Sequence, residues 1–284
     1  MTQSLQNKVC VVTGGTQGIG WAIVQALAAN GAIVYAFGFS SGSLERAEAE
    51  RETLPWRDQI YLSRCDVTDR VAYEAWLDER WKENARLDIL VNNAAYVQWD
   101  DVLDMSTEQA LYSMRVGYDG MVTGIRKVLP WMQEAGQGHI VNVGSIASRI
   151  IVSGSSAAYT ATKAAIDAYT ATLQMELAAT PINATLVRLG TVGGTDFFKQ
   201  HVDPARTPKL NKYLPALTPP IVANSILNAI HKKKKILTLP RYLASLSVIY
   251  QIAPGFSRWL ADQGWGKHPD YGKKEWRYET DTKN

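Results

Sequence analysis

The chain has 284 residues, of which 46% are hydrophobic and 20% are charged, and it contains 21 glycines. This composition fits a globular protein with a large apolar core, and it excludes collagen-like, low-complexity and disordered classes. There are 30 Lys and Arg against 27 Asp and Glu, so the net charge is +3. That excess is too small and too dispersed for a nucleic-acid-binding surface, and we expect no nucleic-acid partner.

The cysteines and the N-terminus indicate a compartment. Cys10 and Cys65 each lie in an apolar stretch and form neither a disulfide framework nor a metal-ligand pattern. No metal site is therefore expected. Residues 1–8 are polar and run directly into an apolar strand, without the charged start and long apolar core of a signal peptide. A reducing compartment is the default for such a chain, so we expect a cytoplasmic protein.

Short apolar runs alternate with helical stretches along the chain. Residues 9–12 are β-branched and apolar at successive positions, as in a strand buried on both faces, and a helix that stops at Asn30-Gly31 follows a glycine cluster. Further strands are expected at residues 33–37, 60–63, 87–91, 139–143 and 184–189. Such repeats predict an α/β fold with a doubly wound parallel β-sheet of the Rossmann type. We expect a single domain over residues 1–240 and a C-terminal extension over 241–284.

The extension is apolar and follows a basic run at residues 232–235. One interpretation is that its helices cover the substrate side of the domain or pack on a second subunit. The other is a segment that lies on a membrane surface, with the lysines near anionic lipid. The unbroken apolar lengths are far shorter than the ~20 residues of a membrane-spanning helix. The apolar residues are Tyr242, Leu243, Leu246, Val248, Ile249, Ile252, Phe256, Trp259 and Leu260.

A glycine-rich turn at residues 13–20 joins the first strand to the first helix. A pyrophosphate can meet free N–H groups at the start of such a helix, and positions without side chains let the phosphates approach the backbone. The strand-turn-helix context therefore favours a dinucleotide site over a purely structural turn. The residues expected to contact the cofactor here are Gly14, Thr16, Gln17, Gly18, Ile19 and Gly20.

A second group of residues indicates acid/base chemistry. Tyr159 and Lys163 lie four residues apart in a helical stretch, so they share one face. Ser145 ends the preceding strand, at the edge where open α/β sheets build their sites. A nearby ammonium stabilises a phenolate, so Lys163 is expected to tune Tyr159 as the acid/base. Ser145 is expected to hydrogen-bond the substrate oxygen.

Five motifs in order resemble the short-chain dehydrogenase/reductase family over roughly residues 5–240. They are TGGTQGIG at 13–20, CDV at 65–67, NNAA at 92–95, NVGS at 142–145 and YTATK at 159–163. The resemblance implies that Asp66 holds the adenine amine with Val67 beside the ring, and that the segment containing Asn93 lines the cofactor. It also implies that Ser145, Tyr159 and Lys163 are catalytic. Tyr159 and Lys163 then also belong to the cofactor site, since the lysine binds the nicotinamide ribose.

Two positions depart from the family pattern near the reaction centre. Gly117 stands where the family has a fourth catalytic asparagine, which kinks the central helix and anchors a water that links the lysine to solvent. We expect the glycine to permit the kink, a water to fill the vacated volume and turnover to be slower. Leu189-Gly190 replaces the family's Pro-Gly, which is expected to loosen the loop. Gly190 and Val192 are expected at the nicotinamide amide, and Thr195 in the role of the family's hydroxyl residue.

A third departure concerns the choice of cofactor. Residues 37–41 contain neither the acid typical of NAD-preferring members nor the arginine that often follows in NADP-preferring ones. Without the acid, nothing repels a 2′-phosphate. Ser40 and Ser41 can donate hydrogen bonds to it, and Arg64 or Arg46 can supply a counter-charge. We therefore favour NADP(H) over NAD(H).

The resemblance implies reversible hydride transfer between the nicotinamide and a carbonyl carbon. A small hydrophobic substrate is expected, a secondary alcohol or ketone of steroid-, terpenoid- or long-chain-like character, unless the apolar residues serve packing or subunit contacts. Those residues are Ile146, Ile150, Ile151, Val152, Phe197, Phe198 and Tyr213.

The resemblance also suggests a homodimer or homotetramer through the helices near residues 107–132 and 157–178. Two other classes of function remain open. One is a nucleotide-binding regulator, for which Gly117 argues. The other is a peripheral membrane scaffold that uses residues 232–260.

Overall fold

The computed structural model describes residues 5–151, 156–197, 202, 216–255 and 259. The fold is organised around seven strands. They are β1 Val9–Thr13, β2 Ile33–Gly38, β3 Ile60–Arg64, β4 Ile89–Asn92, β5 Gly138–Ser145, β6 Ile182–Leu189 and β7 Ile236–Leu239. All pairings are parallel, in the order β3-β2-β1-β4-β5-β6-β7. The predicted doubly wound parallel sheet is thereby confirmed.

Helices cover both faces of this sheet. They are α1 Gly18–Ala29, α2 Ser41–Arg51, α3 Arg70–Asn84, α4 Thr107–Met114, α5 Gly120–Glu134, α6 Ala157–Glu176, α7 Pro219–His231 and α8 Tyr242–Ile252. A π-helical turn, Arg115–Asp119, joins α4 to α5. Helices α1 and α7 pack in one apolar core, and α3, α5 and α6 pack in the other.

The sequence of β1 explains why two cores form. All five of its residues are buried, and they alternate between the faces. Cys10 and Val12 enter the core that holds α1, whereas Val9 and Val11 enter the opposite core. A strand that is apolar at successive positions is stable only between two covered faces, as in parallel sheets. The carboxyl ends of β1, β4, β5 and β6 therefore meet at one edge.

The sequence pattern did not predict β7, which pairs in parallel with β6. The basic run 232–235 precedes this strand and α8 follows it. Four strand residues separate the two by on the order of 13 Å. The lysines therefore lie at the opposite edge of the sheet from the apolar helix. This separation argues against the membrane-surface interpretation, which placed the two together.

Candidate active site

The glycine turn before α1 leaves its backbone open to a ligand. Gly14 and Gly18 have φ of +61° and +55°, a region that favours glycine. Among the described residues, a Cβ on Gly18 would meet only Thr195, whose methyl group and Cβ lie 3.4 and 3.6 Å away. Gln17 precedes the helix, and its side chain makes no capping hydrogen bond to the first turn of α1. The first N–H groups, including that of Ile19, therefore stay available for an anion, so the turn fits a pyrophosphate.

Asn93 holds this turn in place from the end of β4. Its side-chain amide donates to the carbonyl oxygens of Thr13 at 3.1 Å and of Gly14 at 3.0 Å. In return, the hydroxyl of Thr13 accepts hydrogen bonds from the backbone N–H groups of Asn93 and Ala94, both at 3.0 Å. Since the amide is committed to the turn, Asn93 shapes the cofactor site rather than extending its side chain into it.

The side chain of Thr16 is also turned away from the opening. It is buried, and its hydroxyl forms a hydrogen bond of 2.8 Å with Ser43 of α2. Gly38, at the end of β2, leaves the space that the Thr16 side chain occupies. A contact from Thr16 to the cofactor would therefore come from its backbone.

The adenine end of the candidate cleft contains Asp66 and Val67. One carboxylate oxygen of Asp66 accepts from the backbone N–H and the hydroxyl of Thr68, both at 2.8 Å. The helix itself is capped by Asp69, which accepts from Ala72, so Asp66 is not the N-cap. Its second oxygen accepts no hydrogen bond from any residue that the structure describes, and it can receive an amine. Val67 is buried against Gly120.

The end of β2 carries positive charge. Arg64 donates from Nε to the carbonyl of Phe39 at 3.0 Å, and its guanidinium lies 5.5 Å from the centre of the Phe39 ring. One guanidinium nitrogen of Arg46 lies 3.9 Å from the Cβ position of Gly42, in the first turn of α2. An open cleft of about 420 Å³ is lined by Phe39, Arg64 and Asp66 and continues along α3 past Asp69 and Glu79. Arg64 thus places a cation beside the turn that follows β2.

The structure brings Ser145, Tyr159 and Lys163 together. Tyr159 lies in the first turn of α6, where only 7% of its surface is exposed, and it hydrogen-bonds Ser145 at the end of β5. Lys163 follows one helical turn later and is buried. Its Nζ lies 5.7 Å from the centre of the Tyr159 ring and donates to the carbonyl of Val143 at 3.0 Å. This is the arrangement that the spacing of these residues predicts.

Burial dominates the electrostatics of the pair. Burial raises the pKa of Tyr159 to about 12, and the hydrogen bond with Ser145 opposes this shift only in part. Burial also lowers the pKa of Lys163 to about 8. Loss of hydration therefore dominates the pKa of Tyr159, while the ammonium of Lys163 is bound to Val143. The tuning of Tyr159 by Lys163 stays a prediction.

Gly117 lies buried in the π-helical turn, so the expected irregularity of the helix is present. The vacated volume that we expected beside Gly117 is absent, because the methyl group of Thr162 lies 2.7 Å from the Cβ position of the glycine. The hydroxyl of Thr162 lies 3.2 Å from that of Ser113, which donates to the carbonyl of Tyr96 at 3.3 Å. A buried hydroxyl pair thus stands beside the glycine. The signals for it are the position of Ser113, one turn before Gly117, and that of Thr162, beside Lys163.

The turn after β6 is in contact with β7 and α8. The N–H of Gly190 donates to the carbonyl of Leu239 at 2.7 Å, and a Cβ on Gly190 would lie 2.6 Å from Leu243 of α8. Val192 pairs in parallel with Leu217. These contacts with β7 and α8 support the turn, and the loosening of the loop by the loss of proline stays a prediction.

Apolar side chains from three loops enclose Tyr159. Val97 and Trp99 follow β4, and Ala147 and Phe197 follow β5 and β6. Trp99 also pairs in parallel with the buried Val202. The sequence prediction included Phe197 but missed Val97 and Trp99, whose signal was an apolar and aromatic pair directly after the NNAA motif. Of the other predicted substrate residues, Ile146 and Ile150 are half-buried, Ile151 is exposed, and Val152, Phe198 and Tyr213 lie outside the described residues.

Asp167, which the sequence pattern did not single out, holds the turn after Ser145. It is buried and accepts hydrogen bonds from Ser148 at 2.8 Å, from Arg149 and from Arg188. Burial alone would raise the pKa of Asp167, but the bonds from Arg188, Arg149 and Ser148 outweigh it and lower the pKa to about 2. Asp167 lies one turn after Lys163, so one face of α6 supports the whole group.

Metal-ligand clusters and membrane-spanning helices are both absent from the described residues. Within the ranges that the structure covers, no group of three His, Cys, Asp or Glu side chains is placed to hold a metal ion. In the same ranges, no helix combines the length and hydropathy needed to cross a membrane. Of the apolar residues in the extension, Phe256 and Leu260 lie outside the described part of the chain.

The chain is similar to known proteins over most of its length. The pattern of the short chain dehydrogenase family matches residues 8–205. A fatty acyl-CoA reductase from Acinetobacter baylyi is 30% identical over 280 residues, which cover 94% of this chain and 87% of the relative. An NADP-dependent 3-hydroxy acid dehydrogenase from Escherichia coli is 31% identical over 221 residues, 77% of this chain and 87% of the relative.

A solved structure of a short chain dehydrogenase/reductase from Burkholderia phymatum, in complex with NAD, shares the fold. It superposes with a TM-score of 0.76 at 21% identity and covers 89% of this chain and 96% of that one. The family pattern, the parallel sheet and the site geometry agree. The chain therefore belongs to the short-chain dehydrogenase family, and it is an NAD(P)-dependent oxidoreductase that acts on CH–OH groups.

Proposed function

We propose that this enzyme transfers hydride between NADP(H) and the carbonyl carbon of a small hydrophobic substrate with a long aliphatic chain. The observation that carries the proposal is the position of Tyr159, hydrogen-bonded to Ser145 and enclosed by apolar side chains from three loops. A polar reacting group can be held by two hydroxyls there, while the rest of the substrate replaces water on apolar surface.

Each of the three polar residues has a role in this proposal. When bound, the nicotinamide supplies the hydride. Tyr159 donates its phenolic proton to the carbonyl oxygen during reduction, and its raised pKa keeps that proton in place at neutral pH. Ser145 orients the oxygen. Of the three residues, Lys163 has the pKa closest to neutral pH, at about 8. Its ammonium would hold the nicotinamide ribose beside Tyr159.

The chain-length part of the proposal is supported by the lining and by one relative. Val97, Trp99 and Phe197 offer no charge to a substrate beside Tyr159. The relative that matches over 94% of the chain is a fatty acyl-CoA reductase. Steroid- or terpenoid-like alcohols are the alternative that the same lining admits.

The preference for NADP(H) rests on charge at the end of β2. Arg64 is held by the carbonyl and ring of Phe39, and a guanidinium nitrogen of Arg46 lies 3.9 Å from the Cβ position of Gly42. Arg64 would supply the counter-charge to a 2′-phosphate at this turn, and Arg46 is a second candidate for that role. Ser40 and Ser41 add hydroxyl donors.

Steady-state assays of the wild type and Tyr159→Phe test the function. With NADPH and a ketone series from 2-butanone to 2-tridecanone, the wild type is expected to turn over the longer ketones best. Tyr159→Phe is expected to bind NADPH with unchanged affinity and to lose at least a hundredfold in kcat. Binding of NADPH by both proteins without turnover of any alcohol, ketone or aldehyde would favour a nucleotide-binding regulator instead.

We also propose a homodimer or homotetramer through α4–α6. The outer faces of these helices expose Leu111 and Met175, which a subunit contact would cover. Light scattering of the purified chain tests this. A monomer at micromolar concentration contradicts it.

A further inference from the structure

We infer that α8 is a positioning element, which ties the turn expected at the nicotinamide to the turn that follows Ser145 and sets the distance between them. The inference rests on the proposed function, because it assigns to α8 the fit of the substrate chain. The family pattern ends at residue 205, so α8 lies outside the part of the chain that the family defines. The match to the fatty acyl-CoA reductase extends over 94% of the chain and includes α8.

The first tie is apolar. Leu243, in the first turn of α8, is buried, and its Cδ1 lies 2.6 Å from the Cβ position of Gly190. Pro240 lies 3.2 Å from the same position. Because a side chain at residue 190 would occupy the volume of Leu243, the glycine and the leucine are matched. Loss of the leucine side chain would leave a cavity directly behind the turn.

The second tie is polar. Tyr250 donates from its hydroxyl to the carbonyl oxygen of Ile151 at 2.9 Å. Ile151 follows the short helical turn Ile146–Ser148, which begins directly after Ser145. This hydrogen bond is therefore the link from α8 to the loop that leaves the candidate catalytic serine.

Both ties come from one face of the helix. Leu243, Ser247 and Tyr250 have the spacing i, i+4, i+7, which places them along one side of α8, and Leu243 and Ser247 are buried. Seven residues of helix span about 10 Å. The inner face of α8 thus spans the distance between the Gly190 turn and the Ile151 loop as a rigid helical segment of that length. A substrate reduced between these two segments must fit the distance that the helix fixes.

The other face of α8 suits an aliphatic chain. None of the 11 residues of the helix is charged, and Val248, Ile249 and Ile252 are exposed. Ile151, whose carbonyl Tyr250 binds, is 59% exposed. The outer face of α8 and the Ile151 side chain are therefore both exposed and apolar, and an aliphatic chain can cover such surface.

Tyr250→Phe tests the polar tie, with Tyr242→Phe as the matched control, because Tyr242 lies on the same helix and is exposed. Removal of the Tyr250 hydroxyl is expected to lower kcat/KM for 2-tridecanone about threefold to tenfold, chiefly through KM, with little change for 2-butanone. The affinity for NADPH and the unfolding midpoint are expected to match those of Tyr242→Phe. Equal kinetics of the two variants on the long ketone would overturn the inference.

Leu243→Ala tests the apolar tie without any substrate. It is expected to weaken NADPH binding about threefold to tenfold, because the turn at Gly190 loses its support. Leu243→Met, which keeps the volume, is expected to restore the affinity. Unchanged NADPH affinity in folded Leu243→Ala would overturn the inference even if no substrate were turned over. If the wild type binds NADPH and reduces no ketone, the proposed function fails, and this binding assay still decides the role of α8.

Discussion

Substitution of Gly117 tests whether the volume beside it is full. In a helix, alanine is more favourable than glycine by about 1 kcal/mol, so an open site would gain stability from Gly117→Ala. The structure places the new Cβ 2.7 Å from the Thr162 methyl, and overpacking of this kind costs about 1–3 kcal/mol. We therefore expect Gly117→Ala to be destabilising by about 0–2 kcal/mol.

Thr162→Ser isolates the cause. It removes the methyl group but keeps the hydroxyl that lies 2.8 Å from the carbonyl oxygen of Ala158 and 3.2 Å from Ser113. In that background Gly117→Ala is expected to stabilise the protein by about 1 kcal/mol. The coupling energy between the two substitutions is then about 1–3 kcal/mol, measurable by urea denaturation of the four proteins as a double-mutant cycle.

A control and an activity assay complete the test. Gly42, in the first turn of α2, has only the end of the Arg46 side chain near its Cβ position, at 3.9 Å, so Gly42→Ala is expected to be neutral or stabilising. Gly117→Asn is expected to reduce kcat, because asparagine brings an amide as well as a Cβ toward Thr162. If Gly117→Ala stabilises both backgrounds equally, or Gly117→Asn raises kcat, the volume is open and the reasoning fails.

Three further predictions concern the charged side chains of Asp167, Lys163 and Arg64. Asp167→Asn is expected to lose about 3–5 kcal/mol in urea denaturation, because it leaves two guanidinium groups without their shared carboxylate. In the wild type the same carboxylate, with its pKa lowered to about 2, is expected to make stability fall as pH drops from about 4 to 2. If the stability of the wild type falls no more steeply with decreasing pH than that of Asp167→Asn, the prediction is contradicted. Burial lowers the pKa of Lys163 to about 8 in the folded protein. Between pH 8 and 10 the unfolded chain therefore binds one proton more than the folded chain. The free energy of unfolding is expected to rise with pH in this window. Lys163→Met should remove that rise, and urea midpoints at pH 8 and 10 measure it. Arg64→Gln is expected to weaken NADPH binding about tenfold and NADH binding little, as judged by fluorescence titration; equal effects on both would refute its contact with the 2′-phosphate.

Local patterns determined most of the fold and the identity of the reacting residues. Six strands and the helices between them were predictable, because a strand buried on both faces needs a continuous apolar run and a helix needs its own period. The placement of Ser145, Tyr159 and Lys163 in one small volume was predictable as well. The spacing of Tyr159 and Lys163 along α6 and the position of Ser145 at the end of β5 decide this placement. Both are properties of short segments.

The remaining features depend on residues far apart in the chain. β7 is a four-residue strand after a lysine run, and only pairing with β6 makes it a strand. The volume at Gly117 is filled by Thr162 from another helix, and the turn at Gly190 is held by Leu243 from beyond the family pattern. The pKa of Tyr159 is raised, not lowered, because enclosure by three loops removes its hydration. Packing and desolvation arise only when distant segments meet, so only the tertiary structure decided these features.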